Sequence, residues 1–282
     1  MRMFAFIGNR QDVGSRILEL TPSVLTVEAP AGESLGWGVG FYQTGEVLLR
    51  RRPLDDRAVI DLVEVTRGVR SDLLIGHVRR PTIGDLRTEN THPFRYRQWL
   101  MAQTGTIPHF DRLRGRMLES QPEFLRRNVR GDTDTECFFY LVLSFLHDAG
   151  HLASDHVEPT HVRQALRSAM SLVDRLTQEV GAPEARGDIL LTEGEHLFAV
   201  HRGGDMGLRR IEGRAELTQL LGDTEPGAGS PAASSASVAG LDQARFYVLS
   251  SGAAPLGSRW ERVPEDTLLT LSRTEDPELE PL

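Results

Sequence analysis

Ile75-Gly-His77-Val-Arg79-Arg-Pro-Thr82-Ile-Gly84, running on to Asn90-Thr-His92-Pro-Phe94, is the stretch that decides how this chain is read. A short apolar strand at 73–75 passes directly into His, Arg, Thr and Gly. A sheet edge that delivers polar groups to a small ligand has this order. The beginning of the sequence bears on it as strongly. Met1-Arg-Met-Phe-Ala-Phe-Ile7 reads as a strand from its first residue, with no Cys, Ser or Thr nucleophile at its head.

Working outward, residues 3–7, 24–28, 37–42, 46–50, 73–78 and 99–103 carry strand patterns, and Gln43-Thr-Gly45 reads as a Gly-assisted hairpin turn. Helical spacing takes over at 110–118, at 134–147 (Phe138, Leu141, Val142, Phe145, Leu146) and at 160–180 (Leu166, Met170, Val173, Leu176). Thr133 and Asp134 suit a helix N-terminus. Strand patterns return at 188–191, 196–201, 207–211, 245–250 and 267–272. Residues 222–240 (GDTEPGAGSPAASSASVAG) are small and polar and bury too little to offset ordering entropy, so a flexible loop is expected there. Strands, then helices, then strands imply an α+β fold, with two sheets sandwiched between helices.

The chain has 282 residues, 39% hydrophobic and 26% charged, the proportions of a soluble globular protein. A net charge of −8 argues against nucleic acid or an anionic membrane as the main partner. No apolar run reaches the roughly 18–20 residues of a membrane-spanning helix, and no signal peptide is evident, so a cytoplasmic location is expected. A single cysteine, Cys137, excludes a disulfide framework. The histidines at 147, 151, 156 and 161 lack convincing metal spacing, so neither metal nor cofactor is expected.

Five ordered blocks resemble the class II glutamine amidotransferases, enzymes of the N-terminal-nucleophile fold. Arg2-Met-Phe-Ala-Phe6 resembles the residues that follow the family's catalytic Cys. Gly36-Trp-Gly-Val-Gly-Phe-Tyr42 is similar to Gly-Trp-Gly-Ile-Gly-Trp/Phe-Tyr. His77-Val-Arg79-Arg-Pro-Thr82 with Asn90-Thr-His-Pro-Phe94 resembles His-x-Arg-x-Ala-Thr and Asn-x-His-Pro-Phe. Trp99-Leu-Met-Ala-Gln-Thr-Gly-Thr-Ile107 resembles the segment ending His-Asn-Gly-x-Ile, and Gly131-Asp-Thr-Asp-Thr-Glu136 the Thr-Asp-Ser/Thr-Glu block. The resemblance implies a four-layer αββα sandwich over one domain, 1–282.

It also implies site roles. Arg79 would grip the α-carboxylate of glutamine or a related α-amino acid, because a planar guanidinium makes paired charge-assisted hydrogen bonds. Thr82 would add a hydroxyl, Asp134 would accept from the α-ammonium, and the Gly105 backbone would lie against the side-chain amide. The cleaving groups depart from the pattern. Met1 stands where the nucleophilic Cys belongs, and a thioether has no proton to lose. Thr104 stands in place of the oxyanion Asn, and losing one such donor costs about 10²–10³ in rate. Cys137, beside Phe138 and Phe139, reads as a small buried hydrophobe rather than a replacement nucleophile. His77 and His92 read as a polar pair near the site, Trp37 as packing between glycines, and Arg50-Arg-Arg52 as a solvated charge run.

Three functions fit. The first is an amino-acid-binding or regulatory relative without glutaminase activity. The second is an active amidohydrolase with an unassigned nucleophile. The third is an interaction scaffold that contacts a protein partner through 222–240 and the acidic tail 275–282.

Overall fold

The strand β1 (Arg2–Gly8) is apolar on both sides, so it can be stable only where both faces are covered. Phe4 and Phe6 point into one core and Met3, Ala5 and Ile7 into another, and all five are fully buried. The structure, a computed structural model, describes residues 2–19, 21–154, 156–213, 217, 241–252 and 257–282. Both Met1 and the expected loop at 222–240 lie outside the described residues.

After β1 come α1 (Gly14–Glu19), α2 (Pro22–Leu25), β2 (Thr26–Glu28), β3 (Leu35–Gln43), β4 (Glu46–Asp55), β5 (Val59–Asp61) and α3 (Leu62–Thr66). The chain continues through β6 (Leu73–Arg79), β7 (Phe94–Tyr96), β8 (Trp99–Gln103), α4 (Phe110–Glu119), α5 (Glu123–Arg126), α6 (Asp134–Asp148) and α7 (Pro159–Glu179). It closes with β9 (Ile189–Thr192), β10 (Leu197–His201), β11 (Met206–Glu212), β12 (Arg245–Ser251), β13 (Glu261–Arg262), β14 (Thr267–Leu271) and β15 (Glu278–Pro281).

Seven strands form one sheet in the order β13-β11-β12-β1-β6-β3-β4, and six form a second in the order β15-β14-β10-β9-β8-β7. Leu73, Ile75 and Leu249 of the first sheet meet Leu100, Leu190, Ala199 and Leu269 of the second in one continuous core. Outside the first sheet, Phe4, Phe6 and Val39 pack on Ile17, Leu18 and Leu62 of α1 and α3. Outside the second, Trp99, Met101 and Phe198 pack on α4, α6 and α7. This is the αββα sandwich. Among the described residues, no helix is long and apolar enough to cross a membrane.

The helices follow their local chemistry. Thr133 caps α6 by accepting from the Glu136 amide, and Pro159 begins α7 where its missing N–H costs nothing. Helix α7 buries one face, whereas α6 is buried almost all round, as expected of a helix sealed between a sheet and other helices.

Three expectations are corrected. Val24 and Leu25 belong to the turn of helix α2, and the strand begins only at Thr26, because the Val24 amide bonds back to Thr21 O. Within the acidic tail, where no strand was expected, Glu278–Pro281 forms an edge strand. Residues Thr267–Thr270 of β14 pair with β15, and Arg163 and Arg167 of α7 bind Glu278 and Glu280. Finally, Arg51 is half-buried within β4 and donates to Thr91 O, while Arg50 and Arg52 stay exposed.

The layering predicts that Phe6→Ala lowers unfolding free energy by about 3–5 kcal/mol, the range for emptying a filled aromatic site. Leu48→Ala on exposed β4 should change it by less than about 0.5 kcal/mol. Urea denaturation of the two variants checks the contrast.

Candidate functional site

The site lies where β6 ends and β8 ends, on opposite sheets. In the first sheet, His77 pairs with Met3 of β1 and with Gly38 of β3, and Arg79 pairs with Gly36. Gly38 is needed there, since a Cβ would fall 2.1 Å from His92 O. In the second sheet, β8 runs out into Thr104-Gly105-Thr106. Two hydrogen bonds tie the 104–107 turn to its neighbours, one to the loop after β6 and one to the start of α6. Thr82 Oγ1 lies 3.0 Å from Thr106 Oγ1, and the Ile107 amide donates to Asp134 Oδ2 at 2.7 Å. Thr82, the 104–107 turn and Asp134 are thus one connected group.

Arg79 is buried on the same side, but its guanidinium is not free. Nη1 donates to Asp85 O at 2.8 Å, and Nη2 donates to Ile83 O and Gly84 O at 2.7 Å each. Three of its five N–H donors hold the loop that follows Thr82, leaving two for anything else. Sequence reasoning placed this arginine at the site but missed the role of its own loop as a partner. Asn90 reinforces that loop, donating to Asp85 O and accepting from the Asp132 amide. Glu136 binds the amides of Arg130 and Gly131, so the 82–91 and 130–136 segments form one body.

Asp134 is the first residue of α6, as its helix-terminal reading expected, and both of its carboxylate oxygens accept from backbone amides. Oδ1 accepts from the Thr135 amide at 2.9 Å, while Oδ2 takes Ile107. Burial pushes its carboxyl up, against the pull of these amides and of Arg79. Gly105 has φ +86°, and a Cβ there would lie 2.1 Å from Arg186 O, so only glycine fits. Thr104 donates its amide to Asp188 O, and its hydroxyl oxygen accepts from the Asp188 amide at 3.2 Å. Behind this turn, Gln103, Ile107, Phe138 and Ile189 line a narrow cavity reaching Arg186 and Arg202.

His77 and His92 stack with ring centroids 4.2 Å apart, both buried. Burial drives His77 well below the usual histidine range and His92 down to about 3, so both are neutral. His92 Nδ1 accepts from the Gln103 amide. Cys137 is buried, and desolvation pushes its thiol up to about 12. Trp37, expected only to pack, also donates its indole N–H to Asp55 at 2.8 Å.

Sequence reasoning missed one buried polar cluster beside Thr104. Asp188 Oδ1 lies 2.8 Å from His201 Nδ1, and Ser251 donates to Asp188 Oδ2. Ser251 in turn pairs with Met3. Contacts spanning 13 and 63 residues leave no spacing signal in a sequence.

A family model described as "Glutamine amidotransferases class-II" matches residues 20–216. The chain belongs to that family. Among curated relatives of these amidotransferases, "Probable glutamine amidotransferase DUG3" of Saccharomyces cerevisiae is 30% identical over 122 residues, 41% of this chain and 34% of the yeast protein. The matched segment spans about a third of the length of the curated relatives. A "glutamine aminotransferase class-II domain protein" from Silicibacter pomeroyi superposes with TM-score 0.57 at 18% identity, covering 100% of this chain and 99% of its own. A "predicted glutamine amidotransferase" from Pseudomonas aeruginosa superposes with TM-score 0.60 at 16% identity, covering 98% of each. These structures share the class II amidotransferase fold.

Two outcomes follow for the site. Both His77 and His92 hold folded pKa values below the unfolded histidine value near 6.5. Their contribution is complete above that value and is lost progressively as pH falls from it toward the depressed folded values, because the unfolded chain takes up protons that the fold refuses. His92→Asn should therefore flatten the decline of melting temperature between pH 7 and 5, as measured by calorimetry. Gly105→Ala should destabilise by more than about 1 kcal/mol through strain at positive φ.

Proposed function

We propose that this class II glutamine amidotransferase relative binds L-glutamine, or a closely related α-amino acid, without hydrolysing it. It would act as an amino-acid-binding or regulatory protein. The observation that carries the reading is the connected group Thr82–Thr106 and Ile107–Asp134, with Arg79 buried alongside. Asp134 offers a carboxylate to an ammonium group, Gly105 an open backbone, and Arg79 two further N–H donors to a carboxylate.

The cleaving groups support the negative half. In the motif position before Arg2 stands Met1, whose thioether can neither lose a proton nor carry an acyl group usefully. Thr104 replaces an amide donor with a shorter hydroxyl, which can still donate but whose oxygen is anchored by the Asp188 amide. Cys137, with its thiol pushed up to about 12, is no substitute. A second reading, hydrolysis by an unassigned nucleophile, has one observation in its favour: the Ser251 hydroxyl already donates to buried Asp188.

Calorimetric titration with L-glutamine, followed by an ammonia assay, tests both readings. The expected result is a saturable heat and no ammonia. Arg79→Ala should abolish the heat and Asp134→Asn should weaken binding at least tenfold, whereas Thr104→Ala should leave affinity within twofold. Binding should also weaken as pH falls, because Asp134 takes up its proton at higher pH than an ordinary aspartate. Absence of binding overturns the first reading. Sustained ammonia release abolished by Ser251→Ala establishes the second.

A further inference from the structure

The hairpin joining β9 to β10 is Glu193-Gly-Glu195-His196. Gly194 turns it at φ +106°, packed so closely on Tyr42 that a Cβ would sit 2.9 Å from the ring. Arg273 fixes the turn from outside, donating to Glu195 O at 2.9 Å and Gly194 O at 2.7 Å, its charge balanced by Asp72 at 2.9 Å. The backbone is therefore held before any side chain is considered.

On this frame Glu193, Glu195 and His196 each bring one donor atom within 4.8 Å of the others. Glu193 is the deepest, with 6% of its side chain exposed. Its Oε1 accepts from the His196 amide at 2.9 Å and lies 2.7 Å from His196 Nδ1. Its Oε2 is buried with no hydrogen-bond partner. An ion pair with His196 accounts for the first oxygen and leaves the second unexplained, and a buried carboxylate oxygen left unsatisfied is costly. Glu195 is exposed and reaches His156 Nδ1 at 2.7 Å, on the connection between α6 and α7.

We propose that Glu193, Glu195 and His196 form a site for a divalent transition cation of the zinc class, with His156 orienting Glu195. Two carboxylates and one imidazole are a donor set that zinc accepts, and water would complete its coordination. Donor atoms around tetrahedral zinc stand roughly 3.4 Å apart given bonds near 2.0–2.2 Å. Exposed Glu195 supplies the rotamer freedom to close the present spread. Binding would give Oε2 its missing partner. It would also release any proton shared between His196 Nδ1 and Glu193, since a ligating imidazole must be deprotonated at the bound nitrogen. In the β8–β9 ladder, Leu100 pairs with Thr192 while Gln103 pairs with Ile189. The hairpin is therefore at the opposite end of that ladder from Thr104.

The test is titration of chelator-treated full-length protein with zinc chloride, by calorimetry in two buffers of different ionisation enthalpy. One saturable site with buffer-dependent heat is expected. Glu193→Gln should weaken it at least tenfold, and His196→Ala should abolish it. Because buried Glu193 also shapes the hairpin, Glu195→Gln at an exposed position is the variant that cannot act through misfolding, and it too should weaken binding at least tenfold. Zinc should raise the melting temperature of the wild type and not of His196→Ala. No binding overturns the proposal. So does binding unchanged in all three variants, which would put the ion on the stacked His151 and His161 instead.

Discussion

Strand β1 is hydrogen-bonded along both edges, to β12 and to β6, and covered on both faces by separate apolar cores. Every other feature of the first sheet is arranged around that burial. With β1 fixed, the register sets Met3 between His77 and Ser251, and Arg2 beside Val78. The head of the strand is thereby held at the mouth of the sandwich, beside the polar ends of β6 and β12. A period of two allows no compromise, since a slip of one residue would exchange the side chains facing the helix-side core for those facing the inter-sheet core.

The site is a consequence of two sheets ending at one level. Neither sheet could assemble it alone, because Arg79 and Thr82 come from the first, while Thr104–Ile107 leave the second. Asp134 stands against the 104–107 turn at the start of α6, where amides support a carboxylate whose pKa burial raises. Directly behind the turn lie two buried polar sets. His77 stacks on His92, and Asp188 gathers His201, Ser251 and the Thr104 backbone. These sets stiffen the turn on which Gly105 is presented.

The order of motifs was sufficient to recognise the family and its four layers, and the long buried strands and the helices α4, α6 and α7 are legible from apolar periodicity to within two residues, whereas β4 runs on to Asp55 and short elements such as α1, α3, β5 and β7 carry no periodic signal. Two misreadings have physical causes. Residues 24–25 carry a strand-like alternation, yet a local bond to Thr21 turns them into helix. The acidic tail carries no strand assignment, yet arginines on α7, more than a hundred residues away, draw Glu278 and Glu280 onto a sheet edge.

Periodicity and motif order are properties of near neighbours, and they determined which faces are apolar, where helices begin, and which residue types reach the ends of β6 and β8. Glycine at 105, a carboxylate at 134 and methionine before Arg2 could be read there without any coordinates. Tertiary structure alone decided what each polar group touches. It turned Arg79 onto the carbonyls of its own loop, bound the Thr104 hydroxyl to Asp188, and left one oxygen of Glu193 without a partner. Hydrogen-bond pairing depends on distances and angles between segments far apart in sequence, and a linear pattern of residue types does not encode them.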